Sequence, residues 1–237
     1  MYIQMKKSEI GVLCVVAGAK RATGEFPYRV SACRCQNCKF SSRGKCALKE
    51  CCCMGERVKA RSCSVMEMLR DCFRNVYDAS FQYRLRLAVQ RAQRERTLFL
   101  NAEHRKGFYD GLSRTRRAQP HLIAQIYLLS AKPEIWRKTA ALVGRNGVDY
   151  ASFSLGEEGM ALEDYRYYLT ALDIEYGTVN TNLLRLADEE NVDFDVFCAA
   201  CFAVAIAMYG VDAIKIAEKR AASKKYRRRE LQHGRKT

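Results

Sequence analysis

The sequence contains little that would break a helix: three prolines and fourteen glycines in 237 residues. A proline removes a backbone donor and a glycine costs helical entropy, so their scarcity leaves room for long uninterrupted helices. Imidazole is scarce as well, confined to His104, His121 and His233. Also missing are the Gly-x4-Gly-Lys-Ser/Thr phosphate loop, His-Glu-x2-His, Gly-x-Ser-x-Gly and the Rossmann glycine fingerprint. Their absence argues against the commonest nucleotide hydrolases, zinc proteases, serine hydrolases and dinucleotide enzymes. No apolar run reaches the ~20 residues of a membrane-spanning helix. The longest, Val196–Tyr209, has fourteen and lies between Asp195 and Asp212, as expected of a buried core helix. Lys6 and Lys7 precede the apolar Ile10–Ala17 without a small-residue cleavage site, so a secretory signal is not expected. The expectation is a cytoplasmic protein without a membrane partner.

Carboxylates are outnumbered, with 26 Asp and Glu against 41 Lys and Arg and a formal net charge of +15. The excess is patterned: +7 over residues 1–55, +8 over 56–117, −9 over 157–195 and +8 over 215–237. Such a field favours polyanions through long-range attraction and counterion release, so nucleic acid or a nucleoprotein complex is the expected partner. The acidic stretch reads as a solvated helix face or an internal partner for the basic tail. With 49% hydrophobic and 28% charged residues, the composition is that of a globular protein and not of a disordered one.

Cysteine is abundant and clustered. Eight of twelve fall within residues 33–63, in the pattern Cys33-x-Cys35-x2-Cys38-x7-Cys46-x4-Cys51-Cys52-Cys53, with Cys63 beyond. In a reducing cytosol, a metal accounts for this density better than disulfides do. Two thiolates two residues apart can reach one ion, and a second pair from another loop completes a tetrahedron. The preferred ligands are Cys35, Cys38, Cys46 and Cys51, with Cys33, Cys52, Cys53 and Cys63 as alternates. The ion expected is structural Zn2+. An iron–sulfur cluster ranks lower because the spacing does not match the ferredoxin runs. Cys198-Ala-Ala-Cys201 lies inside the apolar run, where both thiols read as core packing.

The pattern turns helical from Ser64. Ser64-Val-Met-Glu67 fits a capping box, and Phe81, Leu85, Val89 and Ala92 recur at helical spacing within 78–98. Asn101 is placed to cap a helix through about Leu112, while Pro120 and Pro133 suit the first turns of two more. Further helices are expected near 160–175, 181–190 and 194–209, the last continuing through Ile214 and Ile216. The fold class expected is mainly α: a Cys-rich metal-binding module with a short β-hairpin over 1–63, a helical domain over 64–218 and a basic tail over 219–237. The hairpin draws on the branched residues of 10–16 and on Phe26–Val30.

Two basic stretches carry the expected nucleic-acid contacts. Arg84, Arg91 and Arg94 recur along the 78–98 helix, and Lys224, Lys225, Arg227, Arg228 and Arg229 crowd the tail beside Tyr226, an aromatic able to stack on a base. The alternative for each is a solvated face. Arg116-Arg-Ala-Gln-Pro-His121 has the Arg-x4-His form and resembles the signature of the helical HEPN ribonucleases, in which such pairs from two subunits act on RNA phosphates. That resemblance implies Arg116 and His121 as catalytic candidates, although Pro120 before the histidine departs from the pattern.

The stretch Thr97–Arg116, with Asn101-x-Glu103-His104 and Phe108-Tyr109, and the apolar helix after His121 resemble an uncharacterised family of small Firmicutes proteins found on phages and conjugative elements. The resemblance covers residues 97–130 and implies a mobile-element setting without an activity. The leading expectation is therefore a non-enzymatic, zinc-stabilised, DNA- or RNA-binding accessory protein of a mobile element. The alternatives are an inhibitor of a host defence complex, of anti-CRISPR type, and a HEPN-like ribonuclease.

Overall fold

A computed structural model describes residues 41–42, 45–46, 53–116, 119–152, 161–178 and 181–218, with backbone alone at 41–42, 45–46 and 183–184. The described part is mainly helical. A two-residue antiparallel pair, β1 (Ser41–Ser42) and β2 (Lys45–Cys46), pairs Ser41 with Cys46. Ten helices follow: α1 (Met54–Lys59), α2 (Val65–Cys72), α3 (Ala79–Glu95), α4 (Ala102–Ser113), α5 (Pro120–Leu129), α6 (Pro133–Thr139), α7 (Leu162–Tyr176), α8 (Leu183–Leu186), α9 (Phe194–Tyr209) and α10 (Val211–Glu218). Single 3-10 turns lie at Ala140–Leu142 and Tyr150–Ser152.

Local chemistry sets the helix starts. Ser64 Oγ accepts from the Glu67 amide at 3.2 Å, while the Ser64 amide donates to Glu67 Oε2 at 2.8 Å, closing the expected capping box. Asn101 Oδ1 accepts from the His104 amide at 2.8 Å to start α4. Pro120 and Pro133 occupy the first turns of α5 and α6.

The core is organised around α9. All twelve residues from Val196 to Ala207 are buried, Cys198 and Cys201 among them at 0% exposure, so the thiols pack as expected. A helix apolar on every side has to be enclosed. Helices α5, α7, α2 and α3 surround it, with α10 and α1 closing further sides. The second sealed element is α5, buried from Leu122 to Leu129 and packed on both α9 and α7. Phe81 of α3 meets Phe73 at 5.1 Å and Phe197 of α9 at 5.4 Å, both edge-to-face.

Two expected boundaries move. Val58 and Cys63 belong to this core and α1 packs on α9 and α10, so the core takes in residues ahead of the expected boundary at 64. The apolar helix does not continue through Ile214. It stops at Gly210, whose φ of +66° an L side chain rarely adopts, and α10 leaves at 118° to it. That turn lets Ala213, Ile214 and Ile216 fold back onto the core. Among the described residues no single helix is long and apolar enough to cross a membrane. The strands expected over 10–16 and 26–30 lie outside the described residues.

Helix α4 approaches its neighbours through glycine. A Cβ at Gly111 would meet both Ile126 Cγ2 and the Trp136 ring at 2.7 Å, so α4 lies against α5 and α6 only because that side chain is missing.

His104 sits at the centre of the α4–α5 contact, fully buried between the rings of Phe99 and Tyr127. Its Nδ1 accepts from the Leu100 amide at 3.2 Å, which leaves Nε2–H to donate to the Tyr127 carbonyl at 2.8 Å. Burial pushes its pKa down to about 3, against a smaller opposing effect of the Tyr127 carbonyl. Its contribution is complete above the unfolded value near 6.5 and is lost as pH falls toward 3, where the unfolded chain binds a proton that the native state refuses. The expected cost is ~1.4 kcal/mol per pH unit inside that window. Denaturant titrations from pH 7 to 4 check this: His104→Gln should have a shallower dependence than the parent by about one proton, and equal slopes would count against it.

Candidate functional site

The arginines expected to form a basic stripe on α3 are divided by burial. Arg84 is 3% exposed and does not reach solvent as a phosphate contact. One turn beyond Phe81 and just before Leu85, it shares the apolar face of α3. Its guanidinium lies 4.8 Å from the Phe197 ring centroid. It donates from Nη1 to the carbonyls of Leu186 at 2.9 Å and Asp188 at 3.1 Å, and from Nη2 to Val192 at 2.9 Å. Arg84 therefore pins the 186–192 loop, which leads into α9, onto α3. Its heptad neighbour Arg91 is 17% exposed and bonds Asp195, the Leu100 carbonyl at 3.1 Å and Glu95 at 3.4 Å. Burial is the largest single influence and opposes its charge. The bond and attraction to Asp195, with smaller contributions from Cys198 and Glu95, together outweigh it and raise the guanidinium above its ordinary pKa. Only Arg94 of the three is open to water, at 78%.

The remaining expected contacts, Lys224, Lys225, Arg227, Arg228 and Arg229, lie outside the described residues. So do the ligand candidates Cys33, Cys35, Cys38, Cys51 and Cys52. Cys46 is described in backbone only, on β2 opposite Ser41. Cys53 is half-buried and Cys63 is buried in the core. Among the described residues no group of three or more His, Cys, Asp or Glu side chains is arranged to hold a metal.

The Arg116–His121 pair does come together, in a cleft of about 830 Å³. Four segments build it. The chain leaving α4 is held by Arg114, which donates to Asp110 and to the Ala140 carbonyl at 2.7 and 2.8 Å. Two residues on, the Arg116 amide donates to the Arg145 carbonyl at 3.0 Å, fixing the two cationic positions side by side. Arg145 lies in a tight loop closed by the Val143–Val148 bridge and a Gly144 amide to Gly147 carbonyl bond of 2.9 Å. Gln119 and His121 come from the start of α5, and Glu175 from the last turn of α7. Asn146 completes the polar lining.

Glu175 is positioned from beneath. Gln125, 1% exposed and one turn after His121 on α5, donates from Nε2 to Glu175 Oε2 at 2.6 Å. The Tyr150 hydroxyl donates to Gln125 Oε1 at 3.1 Å. Burial, reinforced by the Glu175 charge, pushes the Tyr150 pKa well up, so this hydroxyl stays protonated and remains a donor. Sequence reasoning missed Gln125, Glu175 and Arg145. The first leaves a signal, a polar residue amid an otherwise apolar helix, but its partners are 25 and 50 residues away.

A second pocket of about 480 Å³ lies over the Arg84 loop, lined by Tyr83, Glu163, Glu189, Glu190 and Asp193. It offers carboxylates and one exposed ring, the opposite character to the first cleft. No protein-family model matches this chain, and no curated protein and no solved structure matches it either.

The two arginines predict opposite outcomes. Arg84→Gln should lower unfolding stability by ~3 kcal/mol or more, since two buried carbonyls and a third partly buried one lose a charged donor. Arg94→Gln should stay within ~0.5 kcal/mol of the parent. Urea unfolding of both variants checks this, and equal midpoints would refute the pinning role.

Proposed function

We propose that this protein is a non-enzymatic accessory factor of a mobile element that binds nucleic acid by phosphate contact, with Zn2+ holding its cysteine-rich segment. The observation that supports this reading is the division of charge. The whole chain carries 41 Lys and Arg against 26 Asp and Glu. Residues 53–116, 119–152, 161–178 and 181–218 carry 21 against 20, a net of +1. Cations of the helical body are matched by acids inside it: Arg57 with Glu67, Arg91 with Asp195, Arg105 with Glu218, Lys132 with Asp164. The excess lies at either end, +7 over 1–52 and +8 over 219–237. A near-neutral body flanked by two strongly basic segments suits phosphate contact through those segments, which sense charge and not base identity.

Replacing Lys224, Lys225, Arg227, Arg228 and Arg229 together by Gln in the full chain should weaken binding to duplex DNA and to single-stranded RNA. The dependence of log affinity on log salt should flatten by ~0.9 for each lost contact on duplex and ~0.7 on single strands. An unchanged slope would remove the tail from the contact surface. Parent protein that binds neither polymer at low salt, but associates stably with a protein of a defence complex, would replace this reading with the inhibitor one.

The metal has its own check. Elemental analysis of the purified chain should find about one zinc, and Cys38→Ser should lower both zinc content and thermal stability, since a structural site contributes directly to folding. Zinc-free protein that melts unchanged in chelator would overturn it.

A further inference from the structure

The two fully buried thiols of α9 are sealed from solvent, and the pocket over the Arg84 loop sets carboxylates around the already bonded Arg84 guanidinium. The Arg116–Arg145 cleft differs from both, because its charges have the opposite sign and its positions are built by specific bonds. We propose that this cleft is a nucleotide-phosphate site, with Arg116 and Arg145 taking one phosphate and the Glu175 side accepting from a sugar or base donor.

Sign and spacing come first. The 3.0 Å bond from the Arg116 amide to the Arg145 carbonyl places two guanidinium-bearing residues next to each other. Both are exposed, and neither side chain forms a salt bridge among the described residues. Arg57, Arg84, Arg91, Arg105 and Arg114, by contrast, are bound to acids or carbonyls. Two neighbouring guanidiniums repel each other modestly in water, and a phosphate oxygen pair relieves that repulsion while accepting their parallel donors. His121 and Gln119 add polar groups to the same lining.

Size and selectivity follow. A volume of about 830 Å³ lies within the range of small-ligand sites and exceeds what a bare phosphate needs. Glu175 changes the preference further. Held through Gln125 by Tyr150, its carboxylate lies in the same cleft as the arginines. A fixed carboxylate accepts from ribose hydroxyls or base amino groups and repels additional phosphates. The cleft is therefore suited to one phosphate with its nucleoside, as in a ribonucleoside 5′-monophosphate or one nucleotide of an RNA strand, and not to a polyphosphate chain. None of its residues belongs to the basic terminal segments, so it stands or falls apart from the reading based on them.

The test is calorimetric titration of the full chain, its tail neutralised as above, with the four ribonucleoside 5′-monophosphates and a short single-stranded RNA. Inorganic phosphate and an unphosphorylated nucleoside serve as controls. At least one monophosphate or the RNA should bind more tightly than either control. Arg145→Gln and Arg116→Gln should each weaken that binding roughly tenfold, one charge-assisted contact apiece, whereas Arg94→Gln should leave it unchanged. Both positions are exposed, so the variants should keep the parent melting temperature. Binding of monophosphates identifies a free nucleotide as ligand, and binding of RNA alone identifies a strand. RNA that shortens during the titration, and no longer does so in His121→Ala, supports the same site with cleavage added. No binding by any phosphorylated probe at millimolar concentration, or binding unaffected by both arginine variants, overturns the proposal. Salt-dependent binding of long duplex DNA by protein with an intact tail should survive Arg116→Gln and Arg145→Gln, so failure here leaves the terminal reading untouched.

Discussion

A helix whose residues are apolar in every direction can be stable in water only if other elements cover its whole circumference, and α9 imposes that requirement on this fold. Its buried stretch from Val196 to Ala207 has no polar face to turn outward. The elements around it are accordingly amphipathic or, like α5, buried themselves. The bend at Gly210 has the same origin, because α10 must turn back if Ile214 and Ile216 are to share the core. Arg84 and Arg91 belong to this arrangement too. They fasten the loop before α9 and its first turn onto α3, using the cationic ends of side chains whose stems lie along apolar surface.

That use of arginine changes what the net charge means. Taken as a single figure, +15 suggests a positive coat, and the arginines of α3 look like its densest part. Inside the helical body most of this charge is structural, matched by carboxylates or by carbonyls left open at helix ends. The net excess falls at residues 1–52 and 219–237, while the body itself keeps the exposed pair Arg116 and Arg145. A guanidinium with buried partners offers no counterion to release, so counting charges along a helix overestimates its affinity for phosphate unless burial is subtracted.

Local chemistry was legible in the sequence, and pairings between distant segments were not. Ser64 with Glu67, Asn101 with His104, and the prolines at 120 and 133 each act within one helical turn, so short patterns expose them. The apolar run at 196–209 is long enough to announce a sealed helix, including its two thiols. Arg84 was misplaced because composition marks arginine as exposed, although its position beside Phe81 and Leu85 puts it on the buried face. Its acceptors, three carbonyls more than 100 residues away, carry no side-chain signature at all. The acidic stretch expected as a helix over 181–190 is helical only at Leu183–Leu186, since the Leu186 and Asp188 carbonyls serve Arg84 and the Asp188 carboxylate holds the turn that follows.

The same distinction explains why Arg116 and His121 were found as a motif while the cleft around them was not. Their spacing of five residues is local, and the α4–α5 connection keeps them near one another. The groups that give the cleft its chemistry come from elsewhere, Arg145 through a backbone bond and Glu175 through a buried glutamine of α5. Burying an amide costs free energy unless both its ends are bonded, and Gln125 meets that condition by joining Tyr150 to Glu175. An apolar residue at that position would pack α5 as well and would leave Glu175 to water. The glutamine therefore does something packing does not require: it holds a carboxylate in one orientation at the edge of a cationic cleft, an arrangement that selects among anions by what they carry beside their charge.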